Sequence, residues 1–112
     1  MGRETRIIHL TPEIAASVFD TRRFRFRLGV HEPTPEDVGV FLDVNMGLGQ
    51  TPSAHNQCTY RRHSVGTALV LPLRPTVNIE IQAIDGPEVR LSFDIPKGWE
   101  IHTESVAPDS AE

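Results

Sequence analysis

Apolar and polar residues alternate strictly over two neighbouring stretches in the C-terminal half of the chain. Residues 77–82 read VNIEIQ and residues 89–95 read VRLSFDI. Because successive side chains of a β-strand point to opposite faces of the sheet, this period of two predicts two half-buried strands. Asp85 and Gly86 lie between them, and glycine adopts the positive φ that a tight turn requires. We therefore predict an antiparallel hairpin, followed by a further short strand over residues 99–103.

The same pattern recurs in weaker form in the N-terminal half. Residues 38–44, which read VGVFLDV, align with residues 89–95 at one constant spacing. Residues 24–28 align with residues 77–81 if the hairpin between the strands is slightly longer in the first half. Self-similarity of this kind is typical of an internal duplication. The duplication predicts two more strands at its start, over residues 7–10 and 17–19.

One segment of the N-terminal half carries two conflicting signals. Thr11, Pro12 and Glu13 precede an apolar run, which is the usual order of an N-cap residue, a first-turn proline and a first-turn acid. A short helix over residues 12–19 is therefore one alternative. A loop followed by a strand is the other, and either alternative leaves the rest of the chain as strands.

Composition favours one small β unit. The chain has 112 residues, of which 38% are hydrophobic, and its 8 glycines and 9 prolines separate many short alternating runs. This combination favours an all-β fold of antiparallel meander sheets with at most one short helix. No apolar run reaches the roughly eighteen residues that a membrane helix needs, no signal peptide is recognisable, and the single Cys58 cannot form an internal disulfide. We expect a cytoplasmic protein without membrane contact.

The charge of the chain limits its partners. A formal net charge of -4 disfavours strong nonspecific binding to nucleic acid, although a local cationic patch still permits specific binding. We therefore expect no DNA partner. The densest basic run, RRFRFR over residues 22–27, places its alternate arginines on one strand face, which is more simply a solvated outer face than a second surface for RNA.

Residues 77–106 follow the pattern V-x-I-x-I-x-x-I-D-G-x-x-V-R-L-x-F-x-x-P-x-x-x-x-I-H-x-E-x-V without a gap. This pattern resembles the carbon storage regulator family of bacterial RNA-binding translational repressors. Further upstream, Arg61, Arg62 and Gly66 resemble that family's opening strands when short insertions are allowed.

The resemblance implies an intertwined fold in which each of two copies lends strands to the other. Two copies in one chain then imply a single-chain tandem pseudo-dimer, with one intertwined β domain over residues 1–112. We assign residues 1–47 to a degenerate first copy and residues 58–106 to a better preserved second copy. The connection over residues 48–57 is predicted to be a linker, and residues 107–112 to be a flexible tail.

The resemblance also implies a function. Members of the family hold GGA-type hairpin loops of mRNA leaders, or of small RNAs, along the sheet edges and so affect translation or mRNA stability. Thr103 stands where the family has a principal RNA-contacting arginine, and Thr11 and Pro12 replace the family's basic pair in the first copy. Neither edge of the predicted pseudo-dimer therefore has a full set of contacts. The residues implied as RNA-binding are Arg6, Arg61, Arg62, Pro96 and His102.

Two other binding functions remain open. The missing arginine and the acidic balance suggest a module of the same descent that has lost most RNA binding and contacts a protein partner, or antagonises a true regulator, through exposed strand edges. A weaker resemblance, carried by Arg23, Arg27 and residues 43–47, is to PilZ domains, which bind cyclic di-GMP.

Enzymatic and metal chemistry have little support. His55, Cys58 and His63 have a spacing that suits a metal, but a structural zinc site usually has four ligands. No motif surrounds Cys58 that would make it a nucleophile, and the carboxylates are scattered. We expect no enzymatic activity, no cofactor and no bound metal.

Overall fold

The protein consists of two antiparallel β-sheets packed face to face. The structure, a computed structural model, describes residues 2–21, 23–45, 56–73 and 75–106. These residues form no helix, so the prediction of an all-β fold is confirmed, and they include no helix that could cross a membrane. The strands are β1 (Arg3–Leu10), β2 (Ile14–Asp20), β3 (Arg23–His31), β4 (Asp37–Asn45), β5 (Asn56–Ser64), β6 (Ala68–Leu71), β7 (Val77–Asp85), β8 (Glu88–Pro96) and β9 (Glu100–Ser105).

Each sheet combines strands from both halves of the chain. The four-stranded sheet has the order β1-β8-β7-β6, and the five-stranded sheet has the order β5-β4-β3-β2-β9. Strand β1 therefore lies at the edge of a sheet otherwise built from the second half, while β5 and β9 flank three strands of the first half. Separation of the two halves would break the backbone hydrogen bonds that join β1 to β8, β2 to β9 and β4 to β5.

The core lies between the sheets because alternate side chains of the central strands are apolar. Phe26 of β3 and Phe93 of β8 stack across the interface with ring centroids 6.3 Å apart and an interplanar angle of 7°. The buried inward side chains of β3, β4, β7 and β8 are Phe26, Leu28, Val30, Val38, Val40, Leu42, Val44, Val77, Ile79, Ile81, Val89, Leu91, Phe93 and Ile95.

The strand registers correct the alignment of the two hairpins. Arg27 lies opposite Asp43 in the first hairpin, and Asn78 lies opposite Asp94 in the second. Because Asp43 and Asp94 are equivalent in the duplication, Arg27 corresponds to Asn78. Residues 26–30 therefore correspond to residues 77–81 at the same spacing that relates β4 to β8. The alignment with a longer first hairpin was wrong by two residues on β3.

The segment with conflicting signals is a turn followed by a strand. The Thr11 hydroxyl accepts a hydrogen bond from the Glu13 amide, and the Ile14 amide donates to the Thr11 carbonyl, which closes the turn. The chain then enters β2, a central strand between β3 and β9. Residues 15–18 are all buried, because this strand is covered on both faces as well as at both edges.

The connections agree in part with the predicted boundaries. Gly86 has a φ of 62° in the turn between β7 and β8, as the hairpin prediction required. Strand β5 begins at Asn56, inside the interval assigned to the linker over residues 48–57. The rest of that interval and the predicted tail over residues 107–112 lie outside the described residues.

We expect Phe93→Ala to lower the free energy of unfolding by about 3–5 kcal/mol, because it removes a fully buried ring from the inter-sheet stack. Urea denaturation followed by circular dichroism measures this loss. The matched control is Val70→Ala on the outer face of β6, where the side chain is 61% exposed and we expect a loss below about 1 kcal/mol. Equal losses in the two variants would contradict this description of the core.

Candidate nucleic-acid interface

The structure divides the predicted RNA-binding residues between two ends of the molecule. Arg61 and Arg62 are neighbours on β5, and His102 lies on β9, at the opposite edge of the same sheet. Adjacent strands are about 4.8 Å apart, so these edges are separated by about 19 Å. Arg6 lies on β1, and Pro96 ends β8 in the other sheet. The five residues therefore do not form one surface.

The two arginines of β5 differ in their surroundings. Arg62 Nη2 lies 2.8 Å from Asp37 Oδ1 and donates to the Glu32 carbonyl at 2.7 Å. The hydrogen bond from Arg62 lowers the pKa of the Asp37 carboxyl, with a further contribution from Thr34, and the Asp37 carboxylate raises the pKa of Arg62. Arg61 is exposed and makes no ion pair or hydrogen bond with any described residue. Arg62 therefore braces the turn before β4, whereas the charge of Arg61 is available to a ligand.

An open crevice lies beside Arg61, between β5 and β6. Its volume is about 210 Å³. Arg61 and His63 point into it because they lie opposite the inward-facing Val40 and Val38 of β4. The crevice thus combines an apolar floor with cationic and imidazole groups. Its lining residues are Val40, Leu42, Thr59, Arg61, His63, Leu69, Val70 and Leu71.

The other candidate edge, formed by β1 and β9, has its cationic groups matched with carboxylates. His102 Nε2 lies 3.0 Å from Glu100 Oε1, and Arg6 Nε lies 3.2 Å from Glu4 Oε2. Glu104 adds another carboxylate to β9. A phosphate at this edge would displace existing ion pairs and meet further negative charge.

Pro96 shapes a turn at the end of β8 rather than a binding surface. Its carbonyl accepts a hydrogen bond from the Trp99 amide at 3.3 Å, and the residue pairs in register with Arg3 on β1. Gly98 between them has a φ of 97°, which glycine adopts readily. This turn directs the chain from the four-stranded sheet into β9 of the five-stranded sheet.

The basic run on β3 is largely occupied by internal contacts. Arg23 and Arg25 both contact Asp20, at 3.3 and 3.4 Å. The guanidinium carbon of Arg25 lies 5.3 Å from the centroid of a Trp99 ring, and burial lowers the pKa of Arg25. These contacts leave no free basic surface on β3. The register shift between β2 and β3 takes Arg25 out of the expected solvated face, and its side chain is largely buried.

Arg27, one of the residues that resembles the PilZ pattern, contacts Glu104 at 3.3 Å and lies opposite Asp43. The last two residues of the 43–47 motif lie outside the described part of the chain. The cyclic di-GMP hypothesis therefore stays a prediction.

The suggested metal ligands do not converge where they are described. Cys58 lies opposite the outward-facing Asp43, whereas His63 lies opposite the inward-facing Val38, so the two side chains leave β5 on opposite faces. His55 lies outside the described residues. Within the described ranges, no group of three or more histidine, cysteine or acidic residues is arranged to hold a metal ion.

Sequence analysis missed an aromatic surface on the outer face of the five-stranded sheet. Phe41 and Tyr60 are 44% and 43% exposed, and their ring centroids are 4.6 Å apart, with His31 edge-on to both. Tyr60 lies over Gly39, where a Cβ atom would collide with its ring. A glycine inside the alternating strand β4 was the available signal, since such a glycine often allows a close approach by another group.

We expect the pH dependence of stability to identify His63 as a group of the crevice. Burial, with a smaller contribution from the charge of Arg61, lowers the pKa of His63 below its ordinary 6.5. The unfolded chain then takes up a proton at higher pH than the folded protein, so the free energy of unfolding falls as the pH falls through 6.5. Urea unfolding at several pH values should show that His63→Gln removes this part of the slope.

The second arm of this experiment is Arg61→Gln. Because burial is the larger cause of the shift, this variant should weaken the slope without abolishing it. A pH profile that His63→Gln leaves unchanged would contradict the placement of His63 in a desolvated position.

The geometry thus separates one cationic edge with an open crevice from one edge whose charges are matched. The chain was also compared with models of protein families, with curated proteins and with solved structures. None of the three comparisons finds a match for it.

Proposed function

We propose that this protein binds the loop of an RNA hairpin along the edge formed by β5 and acts as a post-transcriptional regulator. The proposal combines the resemblance of residues 77–106 to the carbon storage regulators with the electrostatics of that edge. The observation that carries it is the exposed guanidinium of Arg61, which has no partner among the described residues and lies at the mouth of a crevice.

The chemistry of this edge suits a single-stranded loop. Phosphate groups are attracted by free cations, and the affinity of nucleic-acid binding rises with the number of phosphates neutralised. Unstacked bases of a loop are recognised through their edges by hydrogen-bonding groups in a partly apolar surface. Arg61, His63 and the apolar floor of the crevice supply these elements side by side.

The exchange of strands between the two halves also supports the proposal. In an intertwined fold of the kind that the resemblance implies, RNA lies along edges to which both copies contribute. Here the two edges are unequal, because Thr103 replaces the family's arginine on β9 and Glu100 and Glu104 surround it. We therefore propose one RNA site in each chain, on the side of β5.

Regulation at such a site is steric. A hairpin loop near a ribosome-binding site that is held against β5 is inaccessible to the ribosome, and no bond is made or broken in the RNA. The requirements are affinity and placement, which agrees with our expectation that the protein has no catalytic residues.

Titration of a fluorescently labelled GGA-hairpin RNA, followed by fluorescence anisotropy, tests this function. We expect Arg61→Ala to weaken binding about tenfold, which corresponds to the loss of about 1.4 kcal/mol from one charge-assisted contact. The slope of log affinity against log salt concentration should fall by about 1. Arg62→Ala should also weaken binding, because it loosens the turn that Asp37 and Glu32 form with Arg62.

The matched controls lie on the other edge. Arg6→Ala and His102→Ala remove side chains that already contact carboxylates, so we expect affinity changes below about twofold. A hairpin with the GGA element replaced serves as the RNA control. Absence of binding at low salt, or binding that Arg61→Ala does not affect, would contradict the proposal.

A further inference from the structure

The two sheets have corresponding strands except at one place. In the five-stranded sheet, β2 precedes the hairpin of β3 and β4 and pairs with β3. Strand β9 pairs with the other side of β2. In the four-stranded sheet, the strand in the corresponding place is β6. Among the described residues, no strand pairs with the far side of β6. Within the described ranges, the four-stranded sheet therefore has no counterpart of the edge strand β9.

The open side of β6 presents free backbone groups. The Ile81 amide donates to the Thr67 carbonyl, which makes this the hydrogen-bonded position of the β6 and β7 ladder. Because such positions alternate in antiparallel pairs, Leu69 and Leu71 also bond toward β7. The amides and carbonyls of Ala68 and Val70 then point away from the sheet, and the Val70 side chain is 61% exposed. This edge is a template for one more strand.

Strand β2 corresponds to β6, and its pairing with β9 shows which kind of segment fits the open edge of β6. Leu28 and Ile79 correspond in the two hairpins, and they lie opposite Ala16 of β2 and Leu69 of β6. Ala16 in turn lies opposite Thr103 of β9. A segment that covered β6 as β9 covers β2 would therefore place its equivalent of Thr103 opposite Leu69, and its equivalent of Glu104 opposite Ala68.

We propose that the open edge of β6 binds an extended segment of a partner protein, which adds as an antiparallel strand in the place that β9 occupies on β2. Main-chain hydrogen bonds to Ala68 and Val70 would hold this segment, as in other cases of β-augmentation. This contact depends on the backbone of β6, whereas the RNA contact proposed for Arg61 depends on a side chain, and both adjoin the same crevice.

The outward charges specify the chemistry of the segment. In the five-stranded sheet, Glu104 of β9 is attracted by Arg27 of β3, at 3.3 Å, and accepts a hydrogen bond from Ser17. In the four-stranded sheet, the strand next to the edge carries Glu80 on that face, directly opposite Ala68. Glu80 is exposed and has no ion pair within the described ranges. The segment should therefore carry lysine or arginine at the place that Glu104 has in β9.

The inward side of the segment meets apolar side chains. Leu69 and Leu71 line the crevice together with Val40 and Leu42 of the other sheet. An aliphatic residue and a small or β-branched residue suit these positions, as Ile101 and Thr103 do in β9. The same charges disfavour strand β9 from a second copy of this chain, because its Glu104 would lie beside Glu80.

Binding of two synthetic peptides to the full-length protein tests this proposal. The probe has the sequence of residues 99–106 with Glu104→Lys, and the control peptide keeps Glu104. We expect the lysine peptide to bind about three- to tenfold more tightly than the control. Two-dimensional amide NMR during the titration should show the largest shifts at Ala68 and Val70, with slower exchange of both amides in the complex.

Two protein variants separate backbone pairing from charge. Val70→Pro removes an edge amide without removing a bond to β7, and proline is tolerated at such edge positions, so the folded protein should lose peptide binding. Its matched control, Val70→Thr, keeps the amide and should keep binding. Glu80→Lys should reverse the preference between the two peptides, and this result does not depend on the proline variant.

Several outcomes would overturn the proposal. One is peptide binding that Val70→Pro does not affect, and another is absence of binding of either peptide at millimolar concentration. Protection of the Ala68 and Val70 amides without peptide at every protein concentration would mean that the chain itself covers the edge. Association of the protein with itself that Val70→Pro abolishes would assign the edge to a second copy.

Discussion

Strand β1 lies against β8 and strand β9 lies against β2, so backbone hydrogen bonds join each sheet to the other half of the chain. The apolar faces of both sheets then pack on each other around the stacked rings of Phe26 and Phe93. Neither half has a complete sheet of its own, because the strands that finish each sheet come from the other half. Folding must therefore bring distant parts of the chain together before the core between the sheets is closed. This requirement is typical of fold topologies dominated by non-local pairing.

Because the two halves exchange strands and pack their inward faces together, the strand edges are where groups remain for binding. The central strands use their inward faces for the core, and their outward arginines and carboxylates largely satisfy each other. Arg27 with Glu104 and Arg23 with Asp20 are examples. The edges are where cations and backbone groups remain available, and they differ from one another. Within the part of the chain that the structure describes, charges at the β9 edge are matched, Arg61 at the β5 edge has no partner, and no strand pairs with the far side of β6, which lies beside Glu80.

Features of the structure were predictable from sequence where they are local. The alternation of residues 77–82 and 89–95 predicted β7 and β8, and Gly86 predicted the turn, because each of these depends on neighbouring residues only. The run over residues 12–19 was ambiguous, since a central strand buried on both faces loses the period of two. The alignment of β3 failed by two residues because apolar residues recur at every second position, so a shift of two preserves the pattern.

The candidate site was less predictable, because its properties depend on contacts between distant residues. Sequence alone places Arg61 and Arg62 side by side as equivalent cations. The turn that holds Asp37 and the Glu32 carbonyl makes them different, since it occupies Arg62, whereas Arg61 has no partner among the residues that the structure describes. The separation of His102 from this pair follows from the order of strands in the sheet, which pattern alone does not determine.

The composition of the two neighbouring edges indicates that they are used differently. Natural sheets protect their edges from unwanted pairing with charged side chains, including charges that point inward. Strand β5 has this protection, since Arg61 points into the crevice and Arg62 lies on the outer face. Strand β6 has none, because its edge positions are Ala68 and Val70. A bare edge beside a protected one is a liability unless a specific segment covers it, and Glu80 beside Ala68 makes the edge selective by charge.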